Sequence, residues 1–178
     1  IEGNAVGLIT YMRTDANRLA PEFIASGEGF IKEKYGASFV GHAHVTSKKS
    51  EMVQDAHEAI RPTDVNMTPE RVKPYLSKDE YNVYSLIYNR AIASLMAPRI
   101  ENLVTLKLNE NGYIFSTDSV TTQFEGYSKV YGQYESKTAK AIDFSILKEG
   151  DTIACNKISK TQHFTKAPAR YTEAKIVK

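Results

Sequence analysis

Apolar residues in the first hundred positions recur at helical intervals, and from about Asn102 they alternate with polar ones. Phe23, Ile24 and Ile31 follow Pro21 at helical spacing and Gly36 comes directly after Lys34-Tyr35, so a helix is expected from about Pro21 to Tyr35. Thr68-Pro69-Glu70 repeats the signal on a smaller scale, with Thr68 as cap, Pro69 at the first helical position and Pro74 as the end. Ser77-Lys78-Asp79-Glu80 has the form of a capping box, in which the Ser77 hydroxyl accepts a backbone N–H and Glu80 reaches back to accept another. The helix it opens carries Val83, Ile87, Ala91 and Leu95 four apart, a core stripe flanked by Tyr84 and Tyr88. Tyrosines so placed could also be imagined stacking on nucleic-acid bases, which the spacing favours less than a core.

The character changes at Pro98. Leu103, Thr105 and Lys107 alternate with Val104, Leu106 and Leu108, Asn109-Glu110-Asn111-Gly112 reads as a turn, and Tyr113 to Thr117 returns as a strand. Further strand-like runs at Ser119 to Phe124 and Thr152 to Phe164 make the last third largely β. The expected fold class is therefore α+β, with a helical lobe over residues 1–100 and a β-rich lobe over 101–178.

Composition narrows the class more than the function. With 178 residues, 42% hydrophobic and 25% charged, the chain is of ordinary globular make-up, enough for one full domain or two small ones. A net charge of +2 excludes a basic field over the whole surface, so a nucleic-acid partner would need local patches. The single cysteine, Cys155, rules out an internal disulfide, favours a reducing compartment and is expected to be small and buried. No apolar run approaches the roughly 20 residues that span a bilayer and no signal-peptide pattern is present, so a cytoplasmic protein is expected. The chain opens on Ile1 and closes on a helix-like stretch from Thr172 to Lys178, which reads as an excised fragment.

Three stretches carry candidate chemistry. In Leu8-Ile9-Thr10-Tyr11-Met12-Arg13-Thr14-Asp15, an extended backbone would put Tyr11, Arg13 and Asp15 on one face. A phenol beside a guanidinium can attack a phosphodiester whose oxygens the positive charge holds. Ionising a phenol of pKa about 10 at pH 7 requires roughly 4 kcal/mol. One guanidinium about 4 Å away, at an effective dielectric near 20, returns about that much. The plainer reading is a half-buried strand end in which Tyr11 packs and Asp15 caps the next helix. In Gln54-Asp55-Ala56-His57-Glu58-Ala59-Ile60-Arg61-Pro62-Thr63, Pro62 forces Arg61 away from helical geometry, giving a turn that presents His57 and Arg61. Local backbone bonding by His57 and a surface ion pair by Arg61 would explain the same residues. His42 and His44 could form half of a zinc site completed by His57, Asp55 or Cys155, though no fixed ligand spacing supports it. The tail groups His163, Lys166 and Arg170 with Phe164 and Tyr171, a mixture that suits single-stranded nucleic acid through phosphate charge and base stacking.

Taken together, Gly7 to Asp15, Gln54 to Thr63 and Gln162 to Ala174 resemble, in order, three signatures of the type IA DNA topoisomerases. Met12 is similar to the bacterial topoisomerase I branch, where the topoisomerase III branch commonly has proline. Ala16 departs from the family, which usually has serine there. The resemblance implies that Tyr11 is a nucleophile forming a 5′-phosphotyrosine, that Arg13 steadies the phosphate and that His57 lies beside it. Asp15 and Glu58 would support these groups from behind, while Arg61, His163, Lys166 and Arg170 would contact single-stranded DNA. It also implies a helical, winged-helix-like lobe carrying the tyrosine, followed by a β-rich arch and hinge. Magnesium would be bound in the intact enzyme by a separate Toprim domain. No D-x-D-x-E-like cluster occurs in this sequence, so no metal ligand and no cofactor is expected in the chain itself. The alternative is a single-stranded nucleic-acid-binding module without chemistry, in which Tyr11 only packs.

Overall fold

The computed structural model describes residues 5–41, 57–136 and 141–176. His42, His44 and Asp55 lie outside them. Helix α1 spans Pro21–Tyr35, α2 Pro69–Val72 and α3 Lys78–Ser94; strands β1 (Ile100–Glu110) and β2 (Tyr113–Phe124) follow, then the short helices α4 (Ser128–Tyr131) and α5 (Glu173–Ile176). The architecture is α+β, with one two-stranded antiparallel sheet among the described residues.

Local chemistry explains most element boundaries. Gly36, at φ 104°, ends α1 by donating its N–H to the Lys32 carbonyl. The Thr68 hydroxyl accepts from Arg71 N–H at the start of α2. Both halves of the capping box form on α3: Ser77 N–H reaches Glu80 Oε2 at 2.8 Å, and the Ser77 hydroxyl accepts from Glu80 N–H. The hairpin closes on Asn111-Gly112, with φ of 50° and 86°, the left-handed pair that a two-residue turn requires.

The core lies between the helices. Phe23 and Ile31 of α1 meet Val65, Val72 and the α3 residues Tyr84, Tyr88, Ala91 and Ile92, with Leu95 and Met96 just beyond the helix. Fully burying an aliphatic side chain of this size contributes about 1.5–3 kcal/mol, so Ile31, Ile92 and Leu95 are principal anchors. Gly27 lets α1 approach closely, because a Cβ there would lie 2.3 Å from Leu95 Cδ1. The buried stripe of α3 is turned from the expected one. Tyr84 and Tyr88 are each only 4% exposed while Val83 is 57% exposed. The tyrosines can be buried because their hydroxyls donate to the carbonyls of Met67 and Val65.

Contacts divide the chain into two compact units, Ile1–Phe144 and Ser145–Lys178. The hairpin root belongs with the helices. Ala97 N–H donates to the Phe39 carbonyl and Tyr127 N–H to the Ala97 carbonyl, and the Phe39 and Phe124 rings lie 4.7 Å apart. Arg99 bridges Glu101 and Glu135, each at 3.0 Å. The strand expected over Thr152–Phe164 is absent, and so the last third is not β-rich among the described residues. Alternation makes a strand only where a neighbour takes its hydrogen bonds, and this segment pairs with none of the described residues. Cys155, expected buried, is exposed for the same reason.

Candidate active site

The two stretches nearest the candidate chemistry meet as a short antiparallel ladder. Thr10 N–H donates to the Arg61 carbonyl at 2.9 Å and Thr63 N–H to the Leu8 carbonyl at 3.1 Å, leaving Ile9 opposite Pro62. A facing pair of this kind exchanges no bonds with itself, so Pro62, which has no N–H, fits without loss. Pro62 is fully buried there. Two side chains reinforce the pairing. The Thr63 hydroxyl donates to the Gly7 carbonyl at 2.7 Å. The Thr10 hydroxyl donates to the Ala59 carbonyl at 2.9 Å and accepts Arg61 N–H at 3.0 Å.

The ladder places Tyr11 beside His57. Their ring centroids are 5.6 Å apart with planes inclined by 30°, a ring contact rather than a hydrogen bond. Tyr11 is 57% exposed, and His57 is half-buried beside it. Extended pairing stops at Thr10, and the backbone bends at Met12 and Arg13. Alternation therefore does not by itself put Tyr11, Arg13 and Asp15 on a common face. Arg13 and Asp15 are both exposed, and among the described residues no hydrogen bond or ion pair joins Tyr11 to Arg13. In place of the serine usual in the family, Ala16 donates its own N–H to the Thr14 hydroxyl at 3.0 Å.

Glu58 and Arg61 form the support behind the ring pair. Glu58 Oε1 accepts from Arg61 Nη2 at 2.7 Å and Oε2 from Arg61 Nε at 2.9 Å, a two-pronged pairing. Glu58 Oε2 also accepts Ala20 N–H at 3.2 Å. Ala20 is the N-cap of α1, and its own N–H is taken by a carboxylate from 38 residues away, at the end of the helix that favours negative charge. Arg61 Nη1 donates to the Pro62 carbonyl, and the guanidinium carbon lies 4.5 Å from the Phe23 ring centroid. With only 12% of its side chain exposed, Arg61 is committed to Glu58 within the protein. A cleft of about 180 Å³ lined by Glu22, Phe23, Ser26, Arg61 and Asp64 adjoins the pair, but neither Tyr11 nor His57 lines it.

The third stretch lies in the second compact unit. His163, Lys166 and Arg170 are exposed there, as are Phe164 at 80% and Tyr171 at 78%. The helix-like ending begins where Lys175 and Ile176 N–H groups return to the Thr172 carbonyl. Among the described residues no three His, Cys, Asp or Glu side chains meet to hold a metal.

Thr10 and the capping role of Glu58 are the site features that the sequence hid. Their partners lie 49 and 38 residues away, and no local pattern marks such a bond.

Comparison with known proteins bears on the whole chain. A family model described as DNA topoisomerase matches residues 4–178. Among solved structures, the chain is similar to full-length topoisomerase I from Thermotoga maritima, with a TM-score of 0.67 and 32% identity over 82% of this chain. The match spans only 22% of the length of that protein. With the ladder joining two of the three signature stretches and a family model covering nearly every residue, the chain belongs to the DNA topoisomerase family.

Proposed function

We propose that this chain carries the nucleophile of a type IA DNA topoisomerase of the bacterial topoisomerase I branch. The observation that carries the reading is the Leu8–Thr10 ladder to Arg61–Thr63, which holds an exposed tyrosine against a histidine from a distant stretch. Tyr11 is 57% exposed while its ring touches that of His57.

In the proposed step the Tyr11 hydroxyl oxygen attacks the phosphorus of a single-strand phosphodiester. The bond from phosphorus to the 3′ oxygen breaks, a phosphotyrosine forms on the 5′ end, and the phenol's proton ends on the leaving 3′ oxygen. Religation is the reverse. One phosphodiester replaces another, so no nucleotide hydrolysis is needed. Arg13 steadies the phosphate oxygens, and His57 positions the phenol or handles its proton. Asp15 acts from behind these groups. His163, Lys166 and Arg170, with Phe164 and Tyr171, receive the single strand through charge and stacking. Magnesium is assigned to a Toprim domain of the same enzyme, in which the helical, winged-helix-like part would separate from that domain to open a gate and the following lobe would serve as arch and hinge. The enzyme relaxes negative supercoils in the cytoplasm. The chain alone is not expected to relax DNA.

The test is to incubate the intact enzyme containing this chain with a single-stranded oligonucleotide and magnesium, then trap covalent adducts. The wild type is expected to yield an adduct and Tyr11→Phe none. An adduct on Tyr11→Phe would exclude Tyr11 as the nucleophile. No adduct from either protein, with single-strand binding retained, would favour the non-catalytic binding module.

A further inference from the structure

We infer that Thr10 is a positioning residue whose hydroxyl sets the placement of His57 against Tyr11. This rests on the reading of Tyr11 as nucleophile and adds a residue that acts through its neighbours. Backbone bonds alone tie Leu8 and Thr10 to Thr63 and Arg61, and they stop there. His57 lies four residues further along, past Ile60, which is exposed. The Thr10 hydroxyl extends the attachment towards it, reaching past Arg61 to the Ala59 carbonyl.

The hydroxyl has one proton and two lone pairs. Its proton goes to Ala59 at 2.9 Å in preference to the Arg61 carbonyl at 3.4 Å, and a lone pair takes Arg61 N–H at 3.0 Å. One side chain, on the residue immediately before Tyr11, thus bonds to residues two and four beyond His57. Two other ties hold the same loop, Ala59 N–H to the Arg18 carbonyl and Glu58 to Ala20 N–H. Both fix it to the approach to α1. Among the described residues, Thr10 is the one whose side chain fixes it to the strand that bears the nucleophile. Valine has nearly the same shape and no hydroxyl, so it would leave the backbone ladder in place and free the loop on the Tyr11 side.

Thr10→Val and Thr10→Ser in the intact enzyme test this, with single-turnover cleavage of a single-stranded oligonucleotide, oligonucleotide affinity and melting temperature all measured. Thr10→Val is expected to slow cleavage by roughly 10- to 100-fold, the scale on which small misplacements of reacting groups act, with affinity within about threefold of wild type. Thr10→Ser is expected to restore most of the rate, which a role in filling space would not produce. Wild-type cleavage by Thr10→Val would overturn the inference, as would a Thr10→Ser rate as low as that of Thr10→Val, or a loss wholly in affinity. In each of these outcomes Tyr11→Phe reports separately, because an adduct that disappears in Tyr11→Phe keeps the nucleophile while the positioning role falls.

Discussion

Tyr11 and the tyrosines of α3 carry the same phenol and are held in opposite ways. Tyr84 and Tyr88 are buried to 4% exposure, and their hydroxyls are committed to backbone carbonyls between α1 and α3. Burial foremost, then the negative charge of Asp64, pushes the Tyr84 phenol up to about 12, and burial raises Tyr88 as well. Tyr11 is presented on a ladder, with more than half its surface free. A nucleophile must reach its target and let its proton go, and the interior denies both. The contrast shows what a helix stripe and a short ladder each do with an aromatic ring: one spends it on the core, the other shows it to solvent.

The largest expected effect breaks the comparison outright. Tyr11→Phe is expected to abolish the covalent adduct with a melting temperature close to wild type, while Tyr88→Phe keeps the adduct. Next comes the support. Glu58→Ala leaves the Arg61 guanidinium without its carboxylate and removes the cap on Ala20. With the pair 12% and 27% exposed, the loss is discounted from that of a fully buried pair to about 2–3 kcal/mol, read as a lowered denaturant midpoint. Cleavage should slow with it.

Smaller effects sharpen the α3 side. Tyr88→Phe strands the Val65 carbonyl in the core and is expected to cost about 1–2 kcal/mol by denaturant titration. The alkaline limb is smallest. Unfolded, the Tyr84 phenol ionises near 10.0; folded, it stays neutral to about 12. Its contribution is therefore fully present below pH 10 and is lost as pH rises through that window. Melting temperatures at pH 8 and pH 11 should differ more for wild type than for Tyr84→Phe.

Features built by neighbouring residues were legible in the sequence, and features built across the fold were not. The span of α1, the caps at Thr68 and Ser77 and the Asn111-Gly112 turn follow from residues within four positions of one another. Val83 and Tyr84 compete for the core face of α3 with the same spacing of four. What decides between them is a pair of carbonyl acceptors at Val65 and Met67, which the helix's own sequence cannot reveal. Thr152 to Phe164 alternates as a strand would, yet alternation does not supply a partner. At the candidate site, the motifs named Tyr11 and His57, whose rings lie 5.6 Å apart. The hydroxyl of Thr10 and the carboxylate of Glu58, which hold that contact in place, reach partners 49 and 38 residues away and left no local trace.

Pro62 has a consequence beyond fitting where it does. If the two segments slid by one residue with the Arg61–Thr63 strand turning to re-pair, position 62 would be called on for an N–H that proline lacks, and one of the ladder's bonds would vanish. The same slip would send the side chains that follow to the opposite face. Proline here acts as a register lock: it makes the wrong alignment incur a lost bond, so the aligned state is the one in which the phenol meets the imidazole.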